Sequence, residues 1–297
     1  MNRIRPQTKI FLDGADPAET GEMRALLGFL DGQTTNPTLV ARHPEARAIR
    51  ERGDTFTPQE IMALYRAAAR DIAAEIPTGS VSLEVYADER TTAAKMIDQA
   101  REMYGWIPNA HIKFPVTRAG LTAAETVARE GMRVNMTLCF SQQQAAAVYA
   151  ATRGATKGQV FVSPFVGRLD DQGQNGMDII ANILRMFATG DGHVQVLAAS
   201  IRTMDHFFAA MRLGSDIITV PAKILREWAR AGCPASHDDL TCGPAGARSG
   251  YPAGRAPIPY EDIDLSADWR QMRIDHDLTR RGIAQFSHDW NALIDKP

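Results

Sequence analysis

The run Ala110-His111-Ile112-Lys113-Phe114-Pro115-Val116 indicates the fold of this chain, because it is a short apolar segment that holds one charged side chain. Its length and composition predict a buried strand. Helical patterns lie on both sides of it, over 91–103 and 123–129. The run is therefore expected to be one strand of a sheet whose strands alternate with helices.

The same alternation of apolar strands and amphipathic helices recurs along the chain. We expect eight strands, at Lys9–Leu12, Gly32–Thr35, Val81–Val85, His111–Phe114, Arg133–Leu138, Gln159–Val162, Val194–Ala198 and Asp216–Val220. Eight β–α units favour an α/β fold, a closed (β/α)8 TIM barrel with parallel strands. An open doubly wound sheet is the alternative, but no GxGxxG turn follows the first strand.

Two stretches exceed a minimal barrel, whose core we expect over about 8–231 of a single domain spanning 1–297. The gap 41–79 predicts a helical insertion before the third strand. An extension follows over about 232–297, first as an irregular Pro/Gly-rich stretch, Cys233–Pro259, and then as a helix, Arg273–Ile294. Its apolar stripe is expected to pack on its own barrel, with a neighbouring subunit as the alternative surface. The stripe consists of Trp290, Leu293 and Ile294.

Composition narrows the class of protein. The net charge of −2 argues against a nucleic-acid binder. No apolar stretch reaches the roughly 20 residues that a membrane span needs, and the first residues lack a secretory pattern. Cys139, Cys233 and Cys242 show no CxxC spacing. We expect a cytoplasmic protein without disulfides that binds small molecules, and assembly into a homo-oligomer is left open.

Polar side chains stand at the C-terminal ends of seven of the eight expected strands, or directly after them. They are Asp13, Thr34, Asn36, Glu84, Lys113, Asn135, Thr137, Ser163, Arg168, Ser200 and Arg202. In a TIM barrel this end of the strands carries the active site. Because helices cover the outside of such a barrel, this many inward polar groups predict a bound ligand.

Each of these residues also has a purely structural interpretation. Lys113 could extend its amine to solvent, and Asp13 could form an Asx turn before a glycine. Glu84 could lie on a half-exposed strand face, and Arg202 could pair with Asp205. Taken one at a time, these interpretations are favoured; taken together, they do not explain why all the groups meet at one rim.

The residue types fit one kind of chemistry. A desolvated Lys113 amine is a nucleophile suited to a Schiff base with a carbonyl substrate. Asp13 and Glu84 can divide acid and base roles, and the planar forks of Arg168 and Arg202 suit a phosphate. Groups suited to sugar hydroxyls are present on Asn36, Asn135 and Ser163.

These residues lie in motifs that resemble, in chain order, those of the transaldolase family. The motifs are Phe11-Leu12-Asp13, Thr34-Thr35-Asn36-Pro37, Val81-Ser82-Leu83-Glu84-Val85, His111-Ile112-Lys113-Phe114-Pro115, Asn135-Met136-Thr137-Leu138-Cys139-Phe140-Ser141, Ser163-Pro164-Phe165-Val166-Gly167-Arg168 and Ala199-Ser200-Ile201-Arg202. The resemblance covers Lys9 to about Arg230. It implies a (β/α)8 barrel and the ping-pong transfer of a dihydroxyacetone unit from fructose 6-phosphate or sedoheptulose 7-phosphate to an aldose phosphate, in the pentose phosphate pathway.

The resemblance also implies roles for the residues. Lys113 would attack the ketose carbonyl, Asp13 would move protons, and Glu84 and Thr137 would hold a water. Asn36 and Asn135 would hold the dihydroxyacetone unit, Thr34, Ser163 and Phe165 would line the site, and Arg168, Ser200 and Arg202 would hold the phosphate. No cofactor and no metal are expected; the spacing of Cys233, His237 and Cys242 does not suit zinc.

Activities related to this one stay open. Fructose-6-phosphate aldolases resemble this chain but typically carry Gln and Tyr where Glu84 and Phe165 stand, so transfer is favoured over release of free dihydroxyacetone. Phe114 departs from the usual smaller residue and is expected to reshape the packing beside Lys113. A transaldolase that acts on an unusual sugar, such as a sulfonated one, also fits the sequence, and so does a non-enzymatic regulator that binds sugar phosphates.

Overall fold

The computed structural model describes residues 5–234 and 254–294, in which eight parallel strands close into a barrel. Each strand pairs with the next in chain order, and the eighth pairs with the first. The strands are β1 Lys9–Asp13, β2 Gly32–Thr34, β3 Ser80–Glu84, β4 Ala110–Pro115, β5 Val134–Cys139, β6 Val160–Pro164, β7 Val194–Ala198 and β8 Ile217–Val220. The predicted TIM barrel is confirmed.

Helices connect the strands and cover the barrel. They are α1 Pro17–Leu27, α2 Pro37–Val40, α3 Pro44–Glu51, α4 Pro58–Glu75, α5 Ala93–Tyr104, α6 Arg118–Arg129, α7 Gln142–Ala151, α8 Val166–Asp170, α9 Gly176–Phe187, α10 Met204–Arg212, α11 Ala222–Arg230 and α12 Asp277–Asn291. In the described parts of the chain, no helix combines the length and the apolar character that a bilayer crossing requires.

Two apolar layers hold the barrel. Inside it, a small cluster that includes Phe11, Phe161 and Leu197 fills the space below the C-terminal rim. The large core lies between strands and helices, and it contains Phe114. Side chains alternate along a strand, so Phe114 packs on the outer face and does not share the inner face of its neighbour Lys113. The expectation that Phe114 reshapes the packing beside Lys113 is therefore wrong.

The expected insertion is helical. It contains α3 and α4, between β2 and β3. A capping box starts α4, since Thr57 Oγ1 accepts from the Glu60 backbone nitrogen at 3.2 Å and the Glu60 carboxylate accepts from the Thr57 backbone nitrogen at 2.8 Å. The inner face of α4 buries Ile61, Tyr65 and Ile72.

The extension packs on its own barrel, as expected. Thr279 of α12 donates from Oγ1 to the Leu138 carbonyl at the end of β5, at 2.9 Å. Trp290 is buried, with its ring 6.1 Å from the ring of Tyr65 on α4. The extension thus lies across the C-terminal end of the barrel and reaches the insertion. Of the irregular stretch Cys233–Pro259, residues 235–253 lie outside the described residues.

The predicted last helix was too long at both ends. In the structure this helix spans Asp277–Asn291. Leu293 and Ile294 lie after its end, so the expected apolar stripe is not helical at these two residues. The physical reason is a backbone contact: the Phe56 nitrogen donates to the Leu293 carbonyl at 2.8 Å. This extended contact with the insertion replaces the last helical turn.

Candidate active site

A cavity of about 630 Å³ opens at the C-terminal ends of the strands. Ten of the predicted site residues line it: Asp13, Thr34, Asn36, Lys113, Thr137, Ser163, Phe165, Arg168, Ser200 and Arg202. The other two, Glu84 and Asn135, lie behind this lining and contact residues that belong to it. The structure therefore brings the predicted set together at the rim where TIM barrels place their sites.

Lys113 lies at the floor of the cavity and is only 4% exposed. Its Nζ is 2.9 Å from Glu84 Oε2 and donates to the Thr35 carbonyl at 2.7 Å. The pairing of β3 with β4 sets Glu84 directly beside Lys113. The buried Lys113 amine therefore does not extend to solvent. Glu84 is 5% exposed, so it does not lie on a half-exposed strand face.

Burial changes the acidity of the two floor carboxyls. It raises the pKa of Glu84 above its ordinary value, against the opposing effect of the Lys113 charge. Burial raises the pKa of Asp13 in the same way, and the Lys113 charge and a hydrogen bond from Thr34 oppose it. Thr34 Oγ1 donates to Asp13 Oδ1 at 2.8 Å. Both carboxyls can therefore hold a proton at a higher pH than exposed ones.

Hydroxyl and amide groups form the side of the floor. Ser163 Oγ donates to Asn135 Oδ1 at 2.7 Å, and Asn135 Nδ2 donates to Ser82 Oγ at 3.1 Å. Asn135 thereby fixes the Ser163 hydroxyl, which does line the cavity. Thr137 Oγ1 is buried and has no hydrogen-bond partner among the described residues. A buried hydroxyl of this kind is suited to a bound polar group.

Asn36 stands where β2 leads into α2. Its Oδ1 accepts from the Leu39 backbone nitrogen at 2.9 Å and caps the helix. Pro37 at the first helical position fits this start. The cap fixes the side chain, so the Asn36 amide nitrogen is left as a donor at the wall of the cavity.

The two predicted anion-binding arginines differ in their surroundings. The Arg168 guanidinium carbon lies 5.4 Å from the ring centre of Phe165 and 5.5 Å from that of Phe286 on α12. Arg202 forms a two-bond ion pair with Asp171, with nitrogen–oxygen distances of 2.5 and 2.8 Å.

A buried ionic cluster, which sequence reasoning missed, connects these arginines. Asp170 Oδ2 is 2.7 Å from His206 Nε2 and 2.7 Å from Arg255 Nη1. His206 Nδ1 accepts from the Arg202 backbone nitrogen at 3.3 Å. Burial lowers the pKa of His206, and the Asp170 charge opposes this. The cluster joins α8, which carries Arg168, to the segment that carries Arg202.

Sequence reasoning also missed several lining residues. They are Thr38, Leu39, Ala41, Arg42, Arg50, Ala199, Thr219, Gln285, Phe286, His288, Asp289 and Ala292. Strand alternation in β8 was a signal for Thr219, which pairs with Thr34 at 2.6 Å between hydroxyl oxygens. Most of the others come from the insertion and the extension.

The possible metal ligands do not assemble in what the structure covers. Within 5–234 and 254–294, no three His, Cys, Asp or Glu side chains form a group that could hold a metal ion. Of the three residues considered above as zinc ligands, His237 and Cys242 lie outside the described residues.

Comparisons with known proteins agree with this geometry. The family model described as "Transaldolase/Fructose-6-phosphate aldolase" matches residues 10–296. A "Probable transaldolase" of Dehalococcoides mccartyi is 40% identical over 219 residues, which are 74% of this chain and 89% of that protein. A "Probable transaldolase" of Rhodospirillum centenum is 41% identical over 223 residues, 74% of this chain and 83% of its own. The chain therefore belongs to the transaldolase/fructose-6-phosphate aldolase family and is an enzyme of the transaldolase type.

Proposed function

We propose that the chain transfers a dihydroxyacetone unit from fructose 6-phosphate or sedoheptulose 7-phosphate to an aldose phosphate, in the pentose phosphate pathway of the cytoplasm. The observation that carries this proposal is the buried Lys113 amine, 2.9 Å from Glu84 and lining one cavity with Asp13. A buried amine beside two carboxyls of raised pKa is suited to Schiff-base chemistry.

In this proposal Lys113 begins the reaction by attacking the C2 carbonyl of the ketose. The amine must first lose a proton, and the raised pKa of Glu84 lets that carboxyl hold it. The addition product loses water and becomes an iminium. The Thr137 hydroxyl, buried and without a protein partner in the described residues, would hold that water with Glu84.

Asp13 would perform the proton transfers of carbon–carbon cleavage. Its carboxylate removes the proton of the C4 hydroxyl while the C3–C4 bond breaks, and the bond electrons move into the iminium. The products are an aldose phosphate and a three-carbon enamine on Lys113. Reversal of these steps with a second aldose phosphate forms the new ketose, and water then releases it from Lys113.

The remaining residues would position the sugar. Asn36 and Ser163, with Asn135 behind Ser163, would hold the hydroxyls of the dihydroxyacetone unit, and Thr34 would orient Asp13. Arg168, Ser200 and Arg202 would hold the terminal phosphate. Glu84 and Phe165 support transfer to an acceptor over release of free dihydroxyacetone.

A product assay tests the reaction. With fructose 6-phosphate and erythrose 4-phosphate, we expect sedoheptulose 7-phosphate and glyceraldehyde 3-phosphate, and no turnover without the acceptor. Steady release of dihydroxyacetone without an acceptor would identify an aldolase instead.

Chemical trapping tests the nucleophile. Borohydride added with fructose 6-phosphate should fix a three-carbon unit on Lys113, as measured by peptide mass spectrometry. Lys113→Arg should abolish labelling and turnover, because a guanidinium stays protonated. Labelling of a different lysine would refute the assignment.

A further inference from the structure

The anion-binding fork of Arg202 is already engaged. Nη1 and Nη2 lie 2.5 and 2.8 Å from the two carboxylate oxygens of Asp171, so the end of the guanidinium makes two parallel bonds. Arg202 lines the cavity, whereas Asp171 does not. The two terminal nitrogens of Arg202 are therefore bound to a residue outside the cavity lining.

The second edge of the same guanidinium is covered by backbone. A Cβ on Gly167 would stand 2.5 Å from Arg202 Nε and 2.6 Å from the Ser200 carbonyl oxygen, which is backbone and cannot easily move, so a glycine is favoured here. A planar guanidinium offers two-bond contact along its end or along its Nε edge. Because one is engaged and the other is covered, an anion can gain a two-bond contact only by replacing Asp171.

The ion pair is suited to such replacement. The Arg202 and Asp171 side chains are 46% and 53% exposed. Exposed ion pairs contribute little to stability. Breaking one changes an equilibrium constant by a factor of about 1.4 to 5. A ligand anion held by two arginines can meet this cost.

The backbone around Arg202 is held while its side chain can turn. The Arg202 nitrogen donates to His206 Nδ1, and the Gly167 nitrogen donates to the Ser200 carbonyl at 3.0 Å. Ser200 has a φ of 58°, a left-handed conformation that persists only when its surroundings fix it. An exchange of partners at Arg202 therefore needs side-chain motion alone.

We propose that Asp171 is a built-in competitor for the anion subsite, which occupies Arg202 in the absence of a ligand anion and takes it back as the ligand leaves. The inference rests on the proposed role of Arg168 and Arg202 in holding phosphate. In a transfer reaction, the first aldose phosphate must leave before the second binds at the same arginines. A carboxylate that recaptures Arg202 speeds this exchange.

The opposite role predicts the opposite sign. If Asp171 served to orient Arg202 for the ligand, its removal would weaken anion binding. As a competitor, its removal strengthens binding. Loss of fold also weakens binding, so a gain in affinity separates competition from damage.

Calorimetric titration of the full chain with ethyl phosphate tests the inference without turnover. At pH 8 this probe carries two charges. Asp171→Asn should bind it about 1.4- to 5-fold more tightly than the wild type, and Asp171→Glu should restore the wild-type affinity. Asp289→Asn removes a carboxylate that does line the cavity but pairs with Thr38 and Gln285 rather than with Arg202, and it should give a smaller gain.

A double variant connects the effect to Arg202. Arg202→Ala combined with Asp171→Asn should bind ethyl phosphate no more tightly than Arg202→Ala alone. Equal or weaker binding by Asp171→Asn, or a gain that survives without Arg202, would overturn the inference. If Arg202→Ala does not weaken binding, the proposed role of Arg202 in holding the anion is wrong. A chain that lacks transaldolase turnover but shows the expected affinities would keep the inference and refute only the proposed reaction.

Discussion

The floor and the roof of the cavity are built by different physical means. The floor consists of strand residues, with Asp13 on β1 and Lys113 on β4. The roof consists of α2, α3 and α12, which belong to segments at opposite ends of the chain. Floor positions follow the two-residue period of a strand, whereas roof positions depend on packing between distant segments.

The two regions also differ in what they contribute to stability. The floor buries charged groups, and burial raises the pKa of both Asp13 and Glu84, which means that their ionised forms are disfavoured in the fold. The roof buries apolar groups such as Phe286 and Trp290. We therefore expect floor variants to affect turnover and roof variants to affect stability.

The largest effect is expected at Asp13. Asp13→Asn should lower turnover with fructose 6-phosphate and erythrose 4-phosphate by about 10²- to 10⁴-fold, because it removes the proposed general base. Its free energy of unfolding at pH 7 should be equal to or higher than that of the wild type, since the variant buries no ionisable group at this position. A loss of less than tenfold, or a clear loss of stability by denaturant titration, would contradict the contrast between floor and roof.

The pH profile tests the same group. Asp13 must be ionised to act as a base, and its pKa is raised above the ordinary 3.8. Turnover should therefore fall as the pH is lowered through that raised pKa, at a higher pH than for an exposed aspartate. Stability depends on pH in the opposite direction from turnover. The raised pKa of Asp13 stabilises the fold at low pH, and this stabilisation is lost as the pH rises through the pKa of Asp13 in the folded protein. Asp13→Asn should remove the part of each dependence that Asp13 contributes and leave the part that belongs to Glu84.

In the roof, the largest change in stability is expected at Trp290. Trp290→Ala should lower the free energy of unfolding by about 3–5 kcal/mol, because it removes a buried ring that packs on Tyr65. Trp290→Phe keeps an aromatic contact and should lose much less. Denaturant titration measures both, and a loss below about 1 kcal/mol for the alanine variant would show that the roof contributes little.

A smaller change is expected at Thr279. Thr279→Val keeps the shape but removes the hydroxyl that donates to the Leu138 carbonyl and accepts from Gln144 Nε2 at 2.8 Å. Two buried polar partners lose a bond, which should cost about 1–3 kcal/mol of stability. Thr279→Ser is the matched control. If both variants unfold at the same denaturant concentration, these bonds do not hold α12 in place.

The smallest effect is expected at Phe286, where α12 of the roof reaches the proposed anion subsite. Phe286→Leu keeps an apolar side chain but removes the ring beside Arg168. A cation–π contact of about 0.5–2 kcal/mol corresponds to a KM for fructose 6-phosphate raised by about 2- to 30-fold. The KM for unphosphorylated dihydroxyacetone should stay constant, and Phe286→Tyr should behave like the wild type. Equal changes for both donors would exclude a role through Arg168.

The contrast between floor and roof also explains what could be predicted from the sequence. The order of strands and helices was sufficient to bring Asp13, Glu84 and Lys113 to one rim, because the C-terminal ends of all barrel strands meet there. The register of β3 with β4, which sets Glu84 beside Lys113, was seen only in the structure. The partner of Arg202 was not predictable, because Asp171 lies 31 residues away in the sequence and only packing of α8 against the segment after β7 brings the two together. The Asp170–His206–Arg255 cluster was missed for the same reason: its members come from three separate segments.

The backbone contact between Phe56 and Leu293 has a consequence for synthesis of the chain. Residue 56 leaves the ribosome well before its partner Leu293, because six of the eight strands lie between the two residues in the chain. Contacts between segments so distant in the chain form late in folding. All eight strands are made before α12, so the nascent barrel carries an uncovered apolar surface around Phe56 and Tyr65 until α12 has been made. We expect the newly made protein to be most prone to aggregation at this stage, between barrel closure and docking of α12.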